Sequence, residues 1–287
     1  MARHGRRGCG AVRSRPTMIP MPPAPLPTVT AESLVSRIRR VLGDVQVLPA
    51  AAARERLRTV LTRTAWDAIP AEAWPLLDAL WAAESAGRTA TRAADLARLG
   101  EAGWASRVSL WHGDITALEV DAVVNAANSG LTGCYQPRHG CVDNAIHTAA
   151  GPRLREECGR IMVARGRPEP CGTATVTRGY FLPARHVVHT VGPALAGRDP
   201  TAGDAELLWR CYASCLAAAA GLGTRVAFCG ISTGVFGYPV ASAAPAALAA
   251  VRSYLQDHAA PHHVVLVTFT EHERATYAVA AEEACHA

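Results

Sequence analysis

Two rhythms of apolar and polar residues alternate along most of the chain, and they divide it. Up to about residue 100 the rhythm is helical throughout. TAESLVSRIRRVLG opens on Thr30 as an N-cap, carries an acidic residue in its first turn and then repeats apolar positions every three to four residues. AAAARERLRTVLTRT and AEAWPLLDALWAAESAG continue in the same style, and Trp74, Leu77, Leu80 and Trp81 are the residues expected to pack this helical region together. From about Arg107 the pattern changes. RVSLWHGDIT, VDAVVNAAN, TATVTRGY, RHVVHTVG, RVAFCGIS and HHVVLVTF are short, nearly continuous apolar runs, as strands buried on both faces require. Between and after them, VDNAIHTAAGPRLREECGRIM, DAELLWRCYASCLAAAAGLG, PVASAAPAALAAVRSYLQDHA and EHERATYAVAAEEACH carry helical spacing. Strands alternating with helices predict a three-layer α/β/α unit with a mixed, mostly parallel sheet, preceded by a small helical extension. The divisions expected are a disordered tail over 1–28, the helical extension over 29–103 and the α/β unit over 104–287.

Composition trims the range of functions. The chain has 287 residues, 49% hydrophobic and 18% charged. No apolar run approaches the roughly 20 residues of a membrane span. The basic N-terminus runs into a Pro-rich stretch, so it does not read as a secretory signal, and Met18 or Met21 is an alternative start. The formal charge of +5 comes from 29 basic residues that are all Arg, with no basic stripe interleaved with aromatics, so nucleic-acid binding is not expected. The absence of Lys also removes Schiff-base and P-loop chemistry. Nine Cys without a secretory signal read as free thiols in a reducing cytoplasm. Cys158, Cys171, Cys211, Cys215 and Cys229 lie in apolar surroundings as small hydrophobes, which leaves Cys134 and Cys141 as the unusual pair.

Candidate chemistry gathers in the loops that follow strands. Gly113 to Ile115 follow the first strand, NAANSGLTG follows the second, and GISTGVFGYP joins a buried strand to a helix. The last of these is rich in small residues and backbone N–H groups at a helix start, which suits a diphosphate. Inside CYQPRHGC the spacing is Cys-x4-His-x-Cys, and thiolate with imidazole is the ligand chemistry of zinc. Three ligands leave a fourth position open, as catalytic zinc sites do. The same residues also fit an ordinary loop with free thiols, or a structural zinc that stiffens the loop. Asp143, just beyond, fits a helix cap. His147 reads as a packed histidine, His189 as structural, His262 and His263 as solvent-facing, and Trp209, Tyr212 and Leu216 as core.

Taken together, GDIT, VDAVVNAANSGL, VDNAIHTAAG, VVHTVGP and STGVFGYP resemble the macrodomain, an ADP-ribose-binding α/β/α module, over about residues 107 to 284. The resemblance implies that Asp114 accepts a hydrogen bond from the adenine amino group and that Ile115 adds a backbone contact nearby. It implies that Ser232, Thr233, Gly234, Val235 and Phe236 wrap the diphosphate, with Phe236 near the distal ribose. Asn128 would face that ribose. Phe269 is a weaker candidate for adenine contact, a core role being equally open. CYQPRHGC fills the place where hydrolytic MacroD-type members carry glycines leading to an Asp, and this insertion, with the helical extension, resembles the zinc-dependent class that hydrolyses ADP-ribose from modified proteins. On that resemblance Cys134, His139 and Cys141 bind one zinc, while Asp143 and Asn128 are catalytic. Asn144 replaces the Gly that many MacroD-type members have after the Asp. The activity implied is removal of mono-ADP-ribose ester-linked to Asp or Glu of a protein, with ADP-ribose as product and a sirtuin-like transferase as possible counterpart. A non-catalytic ADP-ribose reader and an O-acyl-ADP-ribose deacylase are the alternatives. A monomer is the default.

Overall fold

The computed structural model describes residues 30–223 and 225–286. The tail expected over 1–28 lies outside them. Three helices come first: α1 (Ala31–Val41), α2 (Ala50–Arg63) and α3 (Trp74–Ala86). Thr30 caps α1, accepting from the Ser33 amide. Leu34, Ile38, Leu57, Leu77 and Leu80 are buried in a core of their own. Trp74 lies at its border, with the Arg153 guanidinium 4.3 Å from the ring centre.

Among the described residues eight strands follow: β1 (Thr91–Arg92), β2 (Val108–His112), β3 (Leu118–Glu119), β4 (Ala122–Ala126), β5 (Ala174–Arg178), β6 (His186–Thr190), β7 (Arg225–Phe228) and β8 (His263–Thr268). Two short ones, β1 and β3, pair with each other. The other six form one sheet in the order β2-β8-β7-β4-β6-β5, parallel throughout except for the antiparallel edge pair β5–β6. Helices α4 (Val142–Ala150) and α5 (Pro152–Arg165) cover one face, and α6 (Ala202–Ala220), α7 (Val240–Asp257) and α8 (Glu271–His286) the other.

The alternation along each strand makes the two cores. On β8, Val264 and Leu266 point to the α6–α8 side while Val265 and Val267 point to the α4–α5 side. That is why the apolar runs are continuous: both faces are roofed by helices. Helix α6 buries Leu208, Cys211, Tyr212, Cys215, Leu216 and Ala219, a stripe at helical spacing, and Tyr212 stacks on Phe228 with ring centres 5.2 Å apart. Trp209 falls off that stripe and is 42% exposed, so it is not core as expected. His263 also departs from expectation. It begins β8 instead of preceding it, is buried, and bonds Ser109 Oγ at 2.9 Å beside the Arg98 guanidinium. Burial, with Arg98 and Arg225 nearby, pushes its pKa down to about 4.

The helical unit packs on α4 and α5. Trp81 Nε1 donates to Thr148 O at 2.9 Å, and Arg153 pairs with the buried Asp78 at 2.7 Å. Gly151, at φ +86°, leaves room for the Trp81 ring, because a Cβ there would lie 2.9 Å from it.

Candidate functional site

Parallel pairing of β2, β8, β7 and β4 sends their C-terminal ends to one edge of the sheet, where ligands of such sheets collect. Four chain segments meet there. After β2, Asp114 caps a short 3-10 turn and its Oδ1 accepts from the Thr116 amide and hydroxyl at 2.9 and 2.8 Å. Asp114 is exposed and Ile115 buried beneath it. At the end of the adjoining β8, Gly113 N donates to Thr268 O at 3.0 Å, which sets Phe269 beside the Asp114 turn. Phe269 is 72% exposed, so the core role held open for it does not apply.

After β7, residues 230–238 turn back on themselves. Tyr238 N bonds Ser232 O at 2.9 Å and Leu195 N bonds Phe236 O at 2.8 Å. Ser232 is buried and sits at φ +65°, a left-handed conformation that costs a non-glycine residue about 1–2 kcal/mol. Gly192 leaves no room for a Cβ against it. Gly234 and Val235 are exposed, and among the described residues the amides from Ser232 to Phe236 donate to no internal acceptor. Such a row of free donors suits an anion.

After β4 comes the most elaborate part. Asn128 Oδ1 accepts from Gly130 N at 2.9 Å, and its Nδ2 donates to Gly133 O at 3.1 Å and to Asp143 Oδ2 at 3.4 Å. Gly133 has φ +82° and a Cβ there would lie 2.8 Å from the His147 ring. The chain then carries CYQPRHGC and enters α4. Cys141, not Asp143, is the N-cap: its Sγ accepts from Asn144 N at 3.4 Å. Asp143 instead turns inward and is 5% exposed. The Cys134 Sγ lies 3.4 Å from His139 Nδ1, and the donor atoms of Cys134, His139 and Cys141 all lie within 4.8 Å of one another. Two thiols and an imidazole around a tetrahedral zinc would stand about 3.5–3.8 Å apart, from metal–ligand bonds of 2.0–2.3 Å, so the trio fits that ion with little movement. Asn144 fastens the same loop from inside, its Nδ2 donating to His139 O at 2.9 Å and Gln136 O at 3.4 Å. Burial pushes the Cys141 thiol up to about 11, an effect a bound cation would reverse.

The sequence reading missed what holds Asp143. Asn125, buried on β4, donates from Nδ2 to Asp143 Oδ1 at 2.8 Å and to His189 Nδ1 at 3.1 Å. That fixes the His189 tautomer, whose Nε2 bonds Thr177 Oγ1 at 2.9 Å. Thr177, His189, Asn125 and Asp143 thus form a buried relay that aims one carboxylate. Burial pushes Asp143 up to about 6, against the lowering effects of the Asn125 bond and the Arg155 charge. Burial also holds His189 at about 3, so it stays neutral. The signal was present in the sequence: Asn125 interrupts an otherwise apolar strand. A second cluster, His147, Cys158 and His189, is entirely buried. Both ring nitrogens of His189 are already engaged by Asn125 and Thr177, so this histidine is not free to take a metal.

Comparison with known proteins bears on the family and the fold. The Macro domain family matches residues 124–247. The chain is 48% identical over 169 residues to a protein-ADP-ribose hydrolase of Treponema medium, covering 58% of this chain and 64% of that protein. It therefore spans just under two thirds of the length of the bacterial relatives of that name and less of others. Among solved structures, the Oceanobacillus iheyensis macrodomain with ADP is 34% identical with a TM-score of 0.55, covering 62% of this chain and 92% of that one. The Trypanosoma brucei macrodomain in complex with ADP-ribose is 27% identical with a TM-score of 0.57, covering 89% of this chain and 95% of that one. Among the described residues no helix is long and apolar enough to cross a membrane.

Proposed function

Because the chain belongs to the macro domain family, we propose that it is a zinc-dependent hydrolase releasing mono-ADP-ribose ester-linked to Asp or Glu of a target protein. The observation that carries this is the placement, on either side of one helix start, of a buried carboxyl with a raised pKa and a ready two-thiol, one-imidazole cluster. A relative 48% identical bears the name protein-ADP-ribose hydrolase, which supports the same reading.

In that reading ADP-ribose lies along the sheet edge. Asp114 takes the adenine amino group on Oδ2, since Oδ1 already holds Thr116. Phe269 flanks the ring. The free amides of Ser232 to Phe236 receive the diphosphate. This brings the distal ribose to Asn128, whose amide yields its longest contact, 3.4 Å to Asp143, to hold the sugar. Cys134, His139 and Cys141 would hold a zinc ion, whose chemistry there is Lewis acidity toward the ester or ribose oxygens and a lowered pKa for a coordinated water. Asp143, mostly ionised at neutral pH with a pKa near 6, takes the proton of the attacking water. Asn125 keeps its other oxygen occupied, so that Oδ2 faces the reaction. A sirtuin-like transferase as counterpart, a monomeric state and a cytoplasmic setting belong to the same proposal.

The test is release of ADP-ribose from an Asp/Glu-modified protein by the full chain, with and without a zinc chelator, alongside metal analysis. Release that is lost on chelation and restored by zinc, with about one zinc per chain, supports the reading. Tight binding without release would make the protein a reader. Release indifferent to chelation would leave Asp143 as the sole centre. Preference for O-acyl-ADP-ribose over modified protein would move the substrate to the small-molecule ester.

A further inference from the structure

One arginine links the helical unit to the Cys/His loop. Arg155 stands on α5, is 7% exposed, and has no carboxylate within ion-pair distance among the described residues. Its Nη1 reaches the carbonyls of Leu61 and Thr62 at 3.0 Å each and of Thr64 at 3.3 Å. These are the C-terminal carbonyls of α2 and of its C-cap, which the helix itself leaves without donors and which carry the negative end of its dipole. Its Nη2 donates to Cys134 O at 3.4 Å. The guanidinium also lies 4.5 Å from the Tyr135 ring centre, the next residue of the loop. A second tie runs from the same helix, where Glu55 pairs with Arg138 at 2.8 Å. Arg138 holds a left-handed conformation, at φ +62°, one residue before His139.

A buried, charged side chain is costly, and here the compensation comes from carbonyls of two distant segments and one aromatic face. Helix α2 touches the loop at both ends: its C-terminal carbonyls through Arg155 toward Cys134, and Glu55 in its first half toward Arg138. The loop between Gly133 and Cys141 has no strand or helix of its own. Beyond the bond from Asn128 to Gly133 O and its own short-range bonds, from His139 N to Gln136 O at 3.2 Å and from Gln136 N to Cys134 Sγ at 3.4 Å, it is held by these ties on one side and by Asn144 on the other.

We infer that Arg155 is a positioning residue for the Cys134–His139–Cys141 cluster, and that through it helix α2 serves as the outer wall of the metal site. The inference rests on the zinc reading above for its consequence, though not for its geometry. Supporting groups behind metal ligands typically change affinity 10–100-fold when removed. A lysine at this position keeps the charge but has one nitrogen in place of a fork, so it can cap α2 or hold Cys134, not both.

The experiment compares full-length wild type, Arg155→Lys, Arg155→Met and Tyr135→Leu. Zinc affinity is measured by competition with a chromogenic chelator. Amide hydrogen exchange of residues 133–141 is measured in zinc-free protein. Overall unfolding midpoints and ADP-ribose binding report whether each variant is folded. We expect zinc to bind Arg155→Lys about 10–100-fold more weakly, with faster exchange confined to 133–141 and to the end of α2. Tyr135→Leu, at a half-exposed ring, should keep its unfolding midpoint and lose about 2–5-fold in zinc affinity, the worth of an exposed cation–π contact. If Arg155→Met does not fold, Arg155→Lys and Tyr135→Leu decide the matter. Folded Arg155→Lys with wild-type zinc affinity and wild-type loop exchange overturns the inference. Wild type that binds no zinc overturns the zinc reading instead, and the exchange of the metal-free loop still decides whether Arg155 positions it.

Discussion

Two glycines near the ends of the Cys/His loop make a matched test of the geometry. Gly133 has a left-handed φ of +82°, and a Cβ built there lies 2.8 Å from His147 Cγ and 2.9 Å from its Cδ2. Gly140 has no such φ and a Cβ there meets nothing within 4 Å. Gly133→Ala should therefore carry two penalties. The backbone conformation costs a residue with a Cβ about 1–2 kcal/mol. Overpacking against a fixed ring costs about 1–3 kcal/mol more. The ring has little room to give way, since His147 is buried and its Nε2 stands 3.5 Å from Asp143 Oδ1. The expected loss is about 2–5 kcal/mol, a large share of the roughly 5–15 kcal/mol that stabilises a typical protein. Some of that strain can be relieved only by moving Gly133 O, which takes the Asn128 amide with it. Gly140→Ala should change stability by less than about 0.5 kcal/mol. Chemical denaturation of both variants and of the wild type, with ADP-ribose titration of the folded proteins, reads the difference. Equal midpoints for the two variants and unchanged ADP-ribose affinity for Gly133→Ala would refute the description of this loop.

Other consequences follow from the site. Asp143→Asn should lower hydrolysis by about 10²–10⁴-fold, the usual worth of a general base, while ADP-ribose binding persists; equal turnover would remove Asp143 from the reaction. Asn144→Gly deletes the bonds to His139 O and Gln136 O, and zinc affinity measured by chelator competition should fall about 10–100-fold without loss of fold. His263 has a folded pKa of about 4, below its ordinary 6.5, so the unfolded chain binds the extra proton first. The stability it contributes is whole above pH 6.5 and is lost as pH falls toward 4, at up to about 1.4 kcal/mol per unit. His263→Gln should flatten that limb of the pH–stability curve, and an unchanged slope would count against the buried neutral imidazole.

Much of the architecture could be read from the chain because its signals are local. Apolar runs capped by helices announce a doubly covered sheet, and Cys-x4-His-x-Cys announces a donor cluster without reference to anything distant. What escaped depends on partners far away in sequence. Arg155 reads as one more arginine on a charged helix until Leu61 and Cys134 are seen beside it, 94 and 21 residues away. Asn125 shows in the sequence as a polar break in a buried strand, but its meaning needs Asp143 and His189. His263 was misplaced because a histidine next to an apolar run looks like a strand's exposed approach. In the sheet β8 lies between β2 and β7, and even its first residue is enclosed. Trp209 shows the limit of spacing arguments: it sits at helical spacing from Tyr212 and Leu216, but exposed Glu206 and Arg210 flank it on the outer face of α6.

The strand order also bears on how the chain comes together during synthesis. Among the described strands β2 has one partner in the main sheet, β8, and Trp111 pairs with Val267 across 156 positions. At about 5–20 residues per second on a ribosome, β2 waits roughly 8–30 s for that partner to be made. Helices α1 to α3, whose contacts are mostly with one another, can form in the meantime. The Cys/His loop can begin to take shape with β4, α4 and α5 already synthesised. The Asp114 turn closes on its own bonds to Thr116, but it is fixed against the sheet only when Gly113 N reaches Thr268 O at the end of β8. On the function proposed here, nascent protein would gather the residues assigned to bond cleavage before those assigned to the adenine, and both halves would still wait for β8, which fills the sheet between β2 and β7.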